Sequence, residues 1–241
     1  MPDKVKGLLY HIEIEGRRVP YLLRRSDRAR RMRAEIGLRT GLRVTLPAGM
    51  DESGVSPFLH SRRRWVLRTL RRFERLEGVI PERTLAHGSP VPWLGRELRL
   101  ELSNGPCRVD RSGDTLVVRV PRRTRGAVRR ALAVWYRGEA ERELGSRART
   151  LAARHGASFS SLRIGDQRTL WGSCSRKGTL SFNWRLLLAP EAVANYLVAH
   201  EVAHLDEPGH TPRFRSRVEV LCPGWRDSER WLRRNGAGLT L

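Results

Sequence analysis

Three of the seven histidines in the chain lie in one short stretch, VAHEVAHLDEPGH, at positions 198–210. Within it, His200, Glu201 and His204 form the pattern H-E-x-x-H. On an α-helix, side chains four residues apart project from the same side, so the two histidines can bind one zinc ion together. Glu201 flanks such a metal and is placed to act as the general base for a water molecule. These residue types at this spacing predict a catalytic metal site.

A catalytic zinc site needs a third protein ligand and leaves one position open for water. His210 is the third ligand that we predict, because the Pro-Gly break at positions 208–209 allows the chain to turn back towards the helix. Glu219, on the next predicted helix, is a rival, but its interval from His204 is short for this role. The prediction is therefore one Zn²⁺ bound by His200, His204 and His210.

Other residues near the motif have structural interpretations. Asp206 and Glu207 are either hydrogen-bond partners of a ligand imidazole or surface residues at a helix end, and we favour the second interpretation. Cys174 has no partner at the spacing of a metal-binding clip, so the sequence WGSCS (171–175) is interpreted as a tight structural turn with a buried thiol.

The elements that must position these residues follow from the hydrophobic periodicity, which predicts an α+β protein. Short strands are expected within residues 7–47 and again within 91–121, and each group is followed by a helix. In the last third, strands flank a Gly/Ser-rich turn. Pro190 then opens a helix that runs to about Leu205 and carries the motif. Thr211 and the proline after it are typical of the start of a further helix.

The polar stretch around residues 79–90 predicts a boundary in the chain. We divide the sequence into a strand-rich, helical and basic N-terminal region (1–80), a β-hairpin-like segment (81–121) and a C-terminal domain (122–241). No internal repeat is evident from the sequence.

The composition indicates a folded protein with a strong basic charge. The 241 residues carry a formal net charge of +22, and residues 1–80 contain 19 basic and 9 acidic side chains against 12 and 8 in residues 161–241. This excess indicates either nucleic-acid contact through the arginine-rich N-terminal part or solvated arginines. Three scattered cysteines, no membrane-length apolar run and no recognisable secretory signal predict a cytoplasmic protein without membrane contact.

The segment from WGSCS (171–175) to CPGW (222–225) closely resembles the YgjP-like metallopeptidase family, relatives of the SprT-like and WLM zincins. The shared features are the W-G-S-C-S turn, a strand that ends near Asn183, a proline before the helix, H-E-x-x-H-L and then H-x-P-x-F. The upstream sequences VTLPAGM, RRRWVLRTL and HGSPVPWLGRELRLEL resemble the same family, so the resemblance covers most of the chain.

This resemblance implies a zincin-like C-terminal domain, with a small sheet and an active-site helix that carries H-E-x-x-H. It implies zinc on His200, His204 and His210, with Glu201 as the base. In zincins generally, the strand before the active helix pairs with an extended substrate. By analogy, the strand of Thr179, Ser181 and Asn183 would take this role, through main-chain hydrogen bonds.

The predicted function is a zinc-dependent metallopeptidase that acts on a peptide or protein substrate. A metal-dependent nuclease is an alternative, because a ribosomal-RNA maturation family has the same histidine spacing, H-x₃-H-x₅-H. That family lacks the glutamate after the first histidine, whereas this chain has Glu201. A third hypothesis is a nucleic-acid-associated protease, in which the basic N-terminal part binds DNA or RNA.

Overall fold

The computed structural model shows a mixed α+β protein, as the sequence predicts, in two units, Met1–Pro81 and Glu82–Leu241. The structure describes residues 8–37, 41–77, 83–167 and 170–241. The predicted boundary between residues 80 and 81 lies outside the described residues. Among the described residues, no helix combines the length and the apolar character that crossing a membrane requires.

The first unit contains a four-stranded sheet and two helices. Its elements are β1 (Leu8–Ile14), β2 (Arg17–Ser26), β3 (Arg33–Gly37), β4 (Gly41–Pro47), α1 (Val55–Ser61) and α2 (Arg63–Glu77). The strand order is β1-β2-β4-β3, with β2 and β4 parallel and the outer pairs antiparallel. Alternate residues of β4, Leu42, Val44 and Leu46, are buried in one core with Val55 and Leu59 of α1.

The second unit begins with a sheet of the same design. Its strands are β5 (Pro90–Trp93), β6 (Arg96–Asn104), β7 (Arg108–Ser112) and β8 (Thr115–Val120). Their order is β5-β6-β8-β7, again with a parallel central pair. The first hairpin of each sheet turns through a residue and a glycine of positive φ, Glu15-Gly16 and Leu94-Gly95, which suits a two-residue turn. The two sheets therefore repeat the same strand topology, although no repeat is evident from the sequence.

The rest of the second unit contains a three-stranded sheet and four helices. These elements are α3 (Arg125–Arg154), β9 (Ser161–Gly165), β10 (Gly172–Cys174), β11 (Thr179–Asn183), α4 (Glu191–Ala203), α5 (Pro212–Leu221) and α6 (Trp225–Asn235). The small sheet has the order β10-β11-β9, with β11 antiparallel to β10 and parallel to β9. The strands of the predicted segment 81–121 and helices α3 and α4 share one hydrophobic core.

Helix α4 is held in place along most of its surface. Nine of its thirteen residues are buried, which explains its nearly continuous apolar sequence. The β5–β6 turn supports its start, because the Leu94 amide donates to the Leu187 carbonyl and a Cβ at Gly95 would lie 3.5 Å from the Pro190 Cα. The helix that carries His200 and Glu201 is therefore a rigid base for a site.

Candidate metal centre

Three imidazoles meet at the carboxyl end of α4. His200 lies in its last turn, His204 follows the last helical residue, and His210 comes from the turn before α5. One ring nitrogen of each histidine lies within 4.8 Å of the others. The Nε2 atoms of His200 and His210 are 3.2 Å apart. The structure thus brings together the three residues that the sequence predicts as ligands.

Local contacts orient these rings. Nδ1 of His204 lies 2.9 Å from the main-chain carbonyl of Glu207, and because a carbonyl only accepts, Nδ1–H donates and Nε2 is left for a metal. Nδ1 of His200 lies 3.4 Å from the Tyr196 hydroxyl. The helix-end residue Glu207 therefore supports the site through its backbone, whereas its neighbour Asp206 pairs with Arg217.

The ring of Phe214 packs against all three imidazoles. Its centroid is 4.9 Å from His200, 4.3 Å from His204 and 4.9 Å from His210, and its side chain is 3% exposed. The Phe214 amide donates to the Thr211 side chain, the predicted cap of α5, so the helix start fixes this ring. The sequence contains Phe214 in the H-x-P-x-F pattern, but its contact with three histidines emerges only from the fold.

Glu201 has a buried carboxylate whose hydrogen bonding is incomplete among the described residues. The residue is 3% exposed, and among the described residues its Oε2 atom has no hydrogen-bond partner. Burial raises the pKa of Glu201 to about 8. A buried polar atom left without a partner is costly, and a carboxyl whose pKa burial raises strongly is a candidate for a functional site.

Burial also affects the histidines. It lowers the pKa of His200 to about 4, with smaller contributions from His204 and His210, and it lowers the pKa of His204. Neutral imidazole is the form that binds metals. Three imidazole nitrogen donors beside a buried carboxylate match the donor set of a catalytic zinc site, so the residues present fit this ion.

Strand β10 covers Glu201 at Gly172. A Cβ atom at Gly172 would lie 2.5 Å from Oε1 of Glu201 and 2.8 Å from its Cγ. Only glycine leaves room for the carboxylate here. The preceding residue, Trp171, is fixed from its other side, because a Cβ at Gly236 would lie 2.9 Å from its indole. The sequence WGSCS, predicted as a tight turn, therefore contains strand β10, with the turn after it, and its W-G pair shapes the space around Glu201.

The predicted substrate strand is the centre of the small sheet. Strand β11 pairs with β10 on one side and with β9 on the other, so the main chain of Thr179, Ser181 and Asn183 is already engaged. Within the described residues, β10 and β9 are the edge strands of this sheet, and β10 is the one that contacts α4 at Glu201. The main-chain hydrogen-bonding groups of Thr179–Asn183 are occupied by β9 and β10 in this structure.

The side chain of Asn183 is buried and hydrogen-bonded within the protein. Its side-chain amide donates to the carbonyls of Gln167 and Leu170, and its oxygen accepts from the Arg185 amide. Only 2% of the residue is exposed. Thr179 accepts a hydrogen bond from Ser161. These contacts connect strands and turns of the sheet.

Glu219 lies on α5 with both carboxylate oxygens engaged. Oε1 accepts from the Gly224 amide at 3.3 Å, and Oε2 accepts from Arg226 at 3.0 Å. Among the described residues, the group of potential ligands contains His200, His204 and His210, and Glu219 is not part of it. Cys174 also lies outside this group and has a half-buried thiol whose pKa is raised by burial and, secondarily, by Glu201.

Comparison with known proteins identifies the family of the chain. A crystal structure of the metallopeptidase zymogen of abylysin from Pyrococcus abyssi is 21% identical and aligns with 38% of this chain and 93% of its own, at a TM-score of 0.34. No curated protein matches the chain significantly. Residues 30–235 match the YgjP-like family, described as a metallopeptidase domain. The chain therefore belongs to the YgjP-like metallopeptidase family.

Proposed function

We propose that this protein is a zinc-dependent peptidase of the zincin type. In this proposal His200, His204 and His210 bind one zinc ion, and Glu201 is the general base. The observation that carries it is the convergence of three imidazole nitrogens within 4.8 Å at the carboxyl end of α4, the helix that also holds the buried Glu201, whose Oε2 has no hydrogen-bond partner among the described residues. Membership of a metallopeptidase family supports the same reaction class.

Each residue then has a defined task. When bound, zinc supplies a Lewis acid for the scissile carbonyl and the attacking water. Glu201 takes a proton from that water and delivers it to the leaving amine. The burial that raises its pKa makes the ionised carboxylate a stronger base for the first step, and the proton that it gains is then the one delivered to the amine. Gly172 keeps the space that the carboxylate needs.

Strand β10 replaces β11 as the proposed partner of an extended substrate. Trp171 and Ser175 form their main-chain hydrogen bonds with β11. Because an antiparallel strand alternates its bonding sides, the N–H and C=O groups of Gly172 and Cys174 point away from β11. A peptide that adds to this edge lies beside Glu201, which is the arrangement required for hydrolysis.

The nuclease alternative makes a different use of the same histidines. It has no role for Glu201, whereas peptide hydrolysis needs both a base for the water and a donor for the leaving amine. Incubation of the zinc-loaded protein with a peptide library and with structured RNA separates the two functions. We expect peptide cleavage that a chelator stops and added zinc restores, with the RNA intact. RNA cleavage without peptide cleavage would overturn the proposal.

We also propose that the first unit contacts nucleic acid, as its arginine content indicates. Arg24 on β2 and Arg33 on β3 flank Thr45 in register on the solvent face of the sheet. The loop between these strands adds Arg28, Arg30 and Arg31. All five arginines are exposed, and none has an ion pair within the part of the chain that the structure describes. Such a cluster attracts phosphates.

A further inference from the structure

A cavity of about 810 Å³ opens beside His204. Its walls are the turn between β10 and β11, the residues that precede β9, and the chain that leaves α4. His204 belongs both to this cavity and to the metal centre. A group that enters the cavity therefore lies next to the proposed reaction site.

The formally charged side chains that line the cavity are all positive. Arg176 and Lys177 line it, and its lining contains no aspartate or glutamate. Both side chains are exposed, and neither has a hydrogen bond or ion pair to another described residue. Some other arginines of the second unit are paired, for example Arg217 with Asp206. Two unneutralised cations in a concave site favour an anionic occupant.

The turn that presents these cations is well fixed. The Gly178 amide donates to the Ser175 carbonyl, and the Thr179 amide donates to the Ser175 hydroxyl. Ser160 joins the turn to the segment before β9, because its amide donates to the Gly178 carbonyl and its hydroxyl to the Lys177 carbonyl. A fixed backbone lowers the entropic cost of binding, so these cations form a prepared site.

Strand β10 runs from Glu201 to this cavity. Gly172 contacts Glu201, and Cys174, two residues further along the same strand, lines the cavity. Side chains two residues apart on a strand lie on the same face, about 6.6 Å from each other. An extended peptide on the edge of β10 that places its scissile bond near Glu201 therefore directs a nearby side chain or its carboxyl terminus towards Arg176 and Lys177.

We propose that this cavity is a carboxylate-binding subsite of the substrate, with Arg176 and Lys177 as its specificity-determining residues. The carboxylate comes either from an aspartate or glutamate side chain or from the carboxyl terminus of the peptide. This inference rests on the proposed peptidase function, because the cavity adjoins the proposed zinc site.

Binding can be measured without hydrolysis in the full-length Glu201→Gln protein loaded with zinc. Fluorescence anisotropy would compare labelled peptides that differ only by Glu or Gln at successive positions, each with a free or an amidated carboxyl terminus. We expect the best carboxylate-bearing peptide to bind about tenfold more tightly than its neutral partner, or about 1.4 kcal/mol. Preference for Glu in amidated peptides indicates a side chain, and loss of binding on amidation alone indicates the terminus.

Charge reversal tests the named residues. The double variant Arg176→Glu/Lys177→Glu should lose the preference and favour Lys over Gln, and the milder Arg176→Gln/Lys177→Gln should only abolish it. Arg163→Glu is the matched control, because Arg163 is an exposed arginine of the same sheet outside the cavity. It should keep the preference for a carboxylate.

The outcomes separate the two proposals. Equal binding of all peptides, absence of any binding, or a preference that survives charge reversal would overturn the subsite. Selective binding of carboxylate-bearing peptides by the Glu201→Gln protein, with no hydrolysis by the zinc-loaded wild type, would keep the subsite and reject the peptidase. Hydrolysis by the zinc-loaded wild type without any preference for carboxylate-bearing peptides would keep the peptidase and reject the subsite.

Discussion

Gly172 of β10 and Glu201 of α4 approach so closely that a Cβ atom at position 172 would lie 2.5 Å from Oε1 of the carboxylate. The two residues are 29 positions apart, and their contact sets the space in which the proposed base works. The glycine of the W-G-S-C-S turn is therefore required by the side chain that it faces, because any larger residue displaces Glu201.

Gly172→Ala should displace the carboxylate and lower peptide hydrolysis. We expect kcat/KM to fall at least about tenfold and the free energy of unfolding to fall by about 1–3 kcal/mol, the usual cost of overpacking. Gly138→Ala is the control, because an added Cβ in this exposed part of α3 meets nothing within 4 Å. It should be neutral or stabilising. Full activity of Gly172→Ala would show that the contact is not needed.

Glu201→Gln should retain zinc and lose hydrolysis. Glutamine has the shape of glutamate but cannot accept the proton of the attacking water, so we expect kcat to fall by at least about 100-fold. Zinc content by mass spectrometry should stay near one ion per chain, since all three imidazoles are unchanged. Equal cleavage of a peptide library by wild type and variant would reject Glu201 as the base.

The same substitution should change how stability depends on pH in the metal-free protein. Burial raises the pKa of Glu201 to about 8, so the folded protein binds this proton more tightly than the unfolded chain does. The resulting stabilisation is complete below about pH 4.5 and is lost as the pH rises through about 8. Burial lowers the pKa of His200 to about 4, so His200 is neutral in the folded protein above about pH 5, and its titration in the unfolded chain near pH 6.5 is the same in wild type and variant.

Urea unfolding of chelator-treated protein between pH 6.5 and pH 8 measures this effect. Wild type should lose stability across this interval, and Glu201→Gln should lose less, because it has no proton to release at this position. Parallel curves for the two proteins would show that the Glu201 carboxyl is already ionised at pH 6.5 in the folded state.

The third ligand can be assigned by metal analysis. His210→Ala should lower zinc affinity by more than the about 10- to 100-fold typical of losing an outer hydrogen-bond partner. Glu219→Ala should keep zinc, because both Glu219 oxygens are engaged by Gly224 and Arg226. Zinc that remains in His210→Ala and disappears in Glu219→Ala would reverse the assignment.

Helical periodicity was sufficient to place His200, Glu201 and His204 together, because their spacing is a property of one element. His210 required only a turn, which the Pro-Gly break indicates. The sheet edge that we propose for substrate binding could not be predicted from the sequence in the same way. Whether β10 or β11 lies at the edge of the sheet depends on where β9 pairs. Strands of three to five residues are too short for their sequences to predict which strands pair with them.

The repeated sheet topology could not be predicted from the sequence for a similar reason. Strand order depends on which apolar faces can pack, and many different sequences satisfy that pattern. Sheets β1-β2-β4-β3 and β5-β6-β8-β7 therefore share a topology without a visible sequence repeat. Close contacts such as Phe214 against three imidazoles likewise need the tertiary structure, because they join elements from different parts of the chain.

Asn183→Asp should destabilise the protein more than it affects the reaction chemistry. Aspartate can still accept from the Arg185 amide, but it cannot donate to the carbonyls of Gln167 and Leu170. Leaving such acceptors without partners should cost about 2–4 kcal/mol. Ser181→Ala on the same strand is the control and should stay within about 0.5 kcal/mol of wild type. A stable variant with a raised KM would instead indicate substrate binding by Asn183.

Nucleic-acid binding by the first unit should depend on the loop between β2 and β3. We expect the full-length protein to bind a labelled single-stranded oligonucleotide with an affinity that falls steeply as salt rises. The variant Arg28→Gln/Arg30→Gln/Arg31→Gln should bind more weakly. Because each lost phosphate contact reduces the slope of log Kd against log salt by about 0.7, three losses should reduce it by about 2.

A control of equal charge separates a local site from a general attraction. Arg149→Gln/Arg154→Gln/Arg163→Gln removes three exposed arginines from the second unit and should leave the salt slope nearly unchanged. Equal weakening by the two triple variants would mean that the net charge of +22, not the β2–β3 loop, attracts nucleic acid. Binding that does not respond to salt would exclude phosphate contacts by these arginines altogether, because released counterions are the source of that dependence.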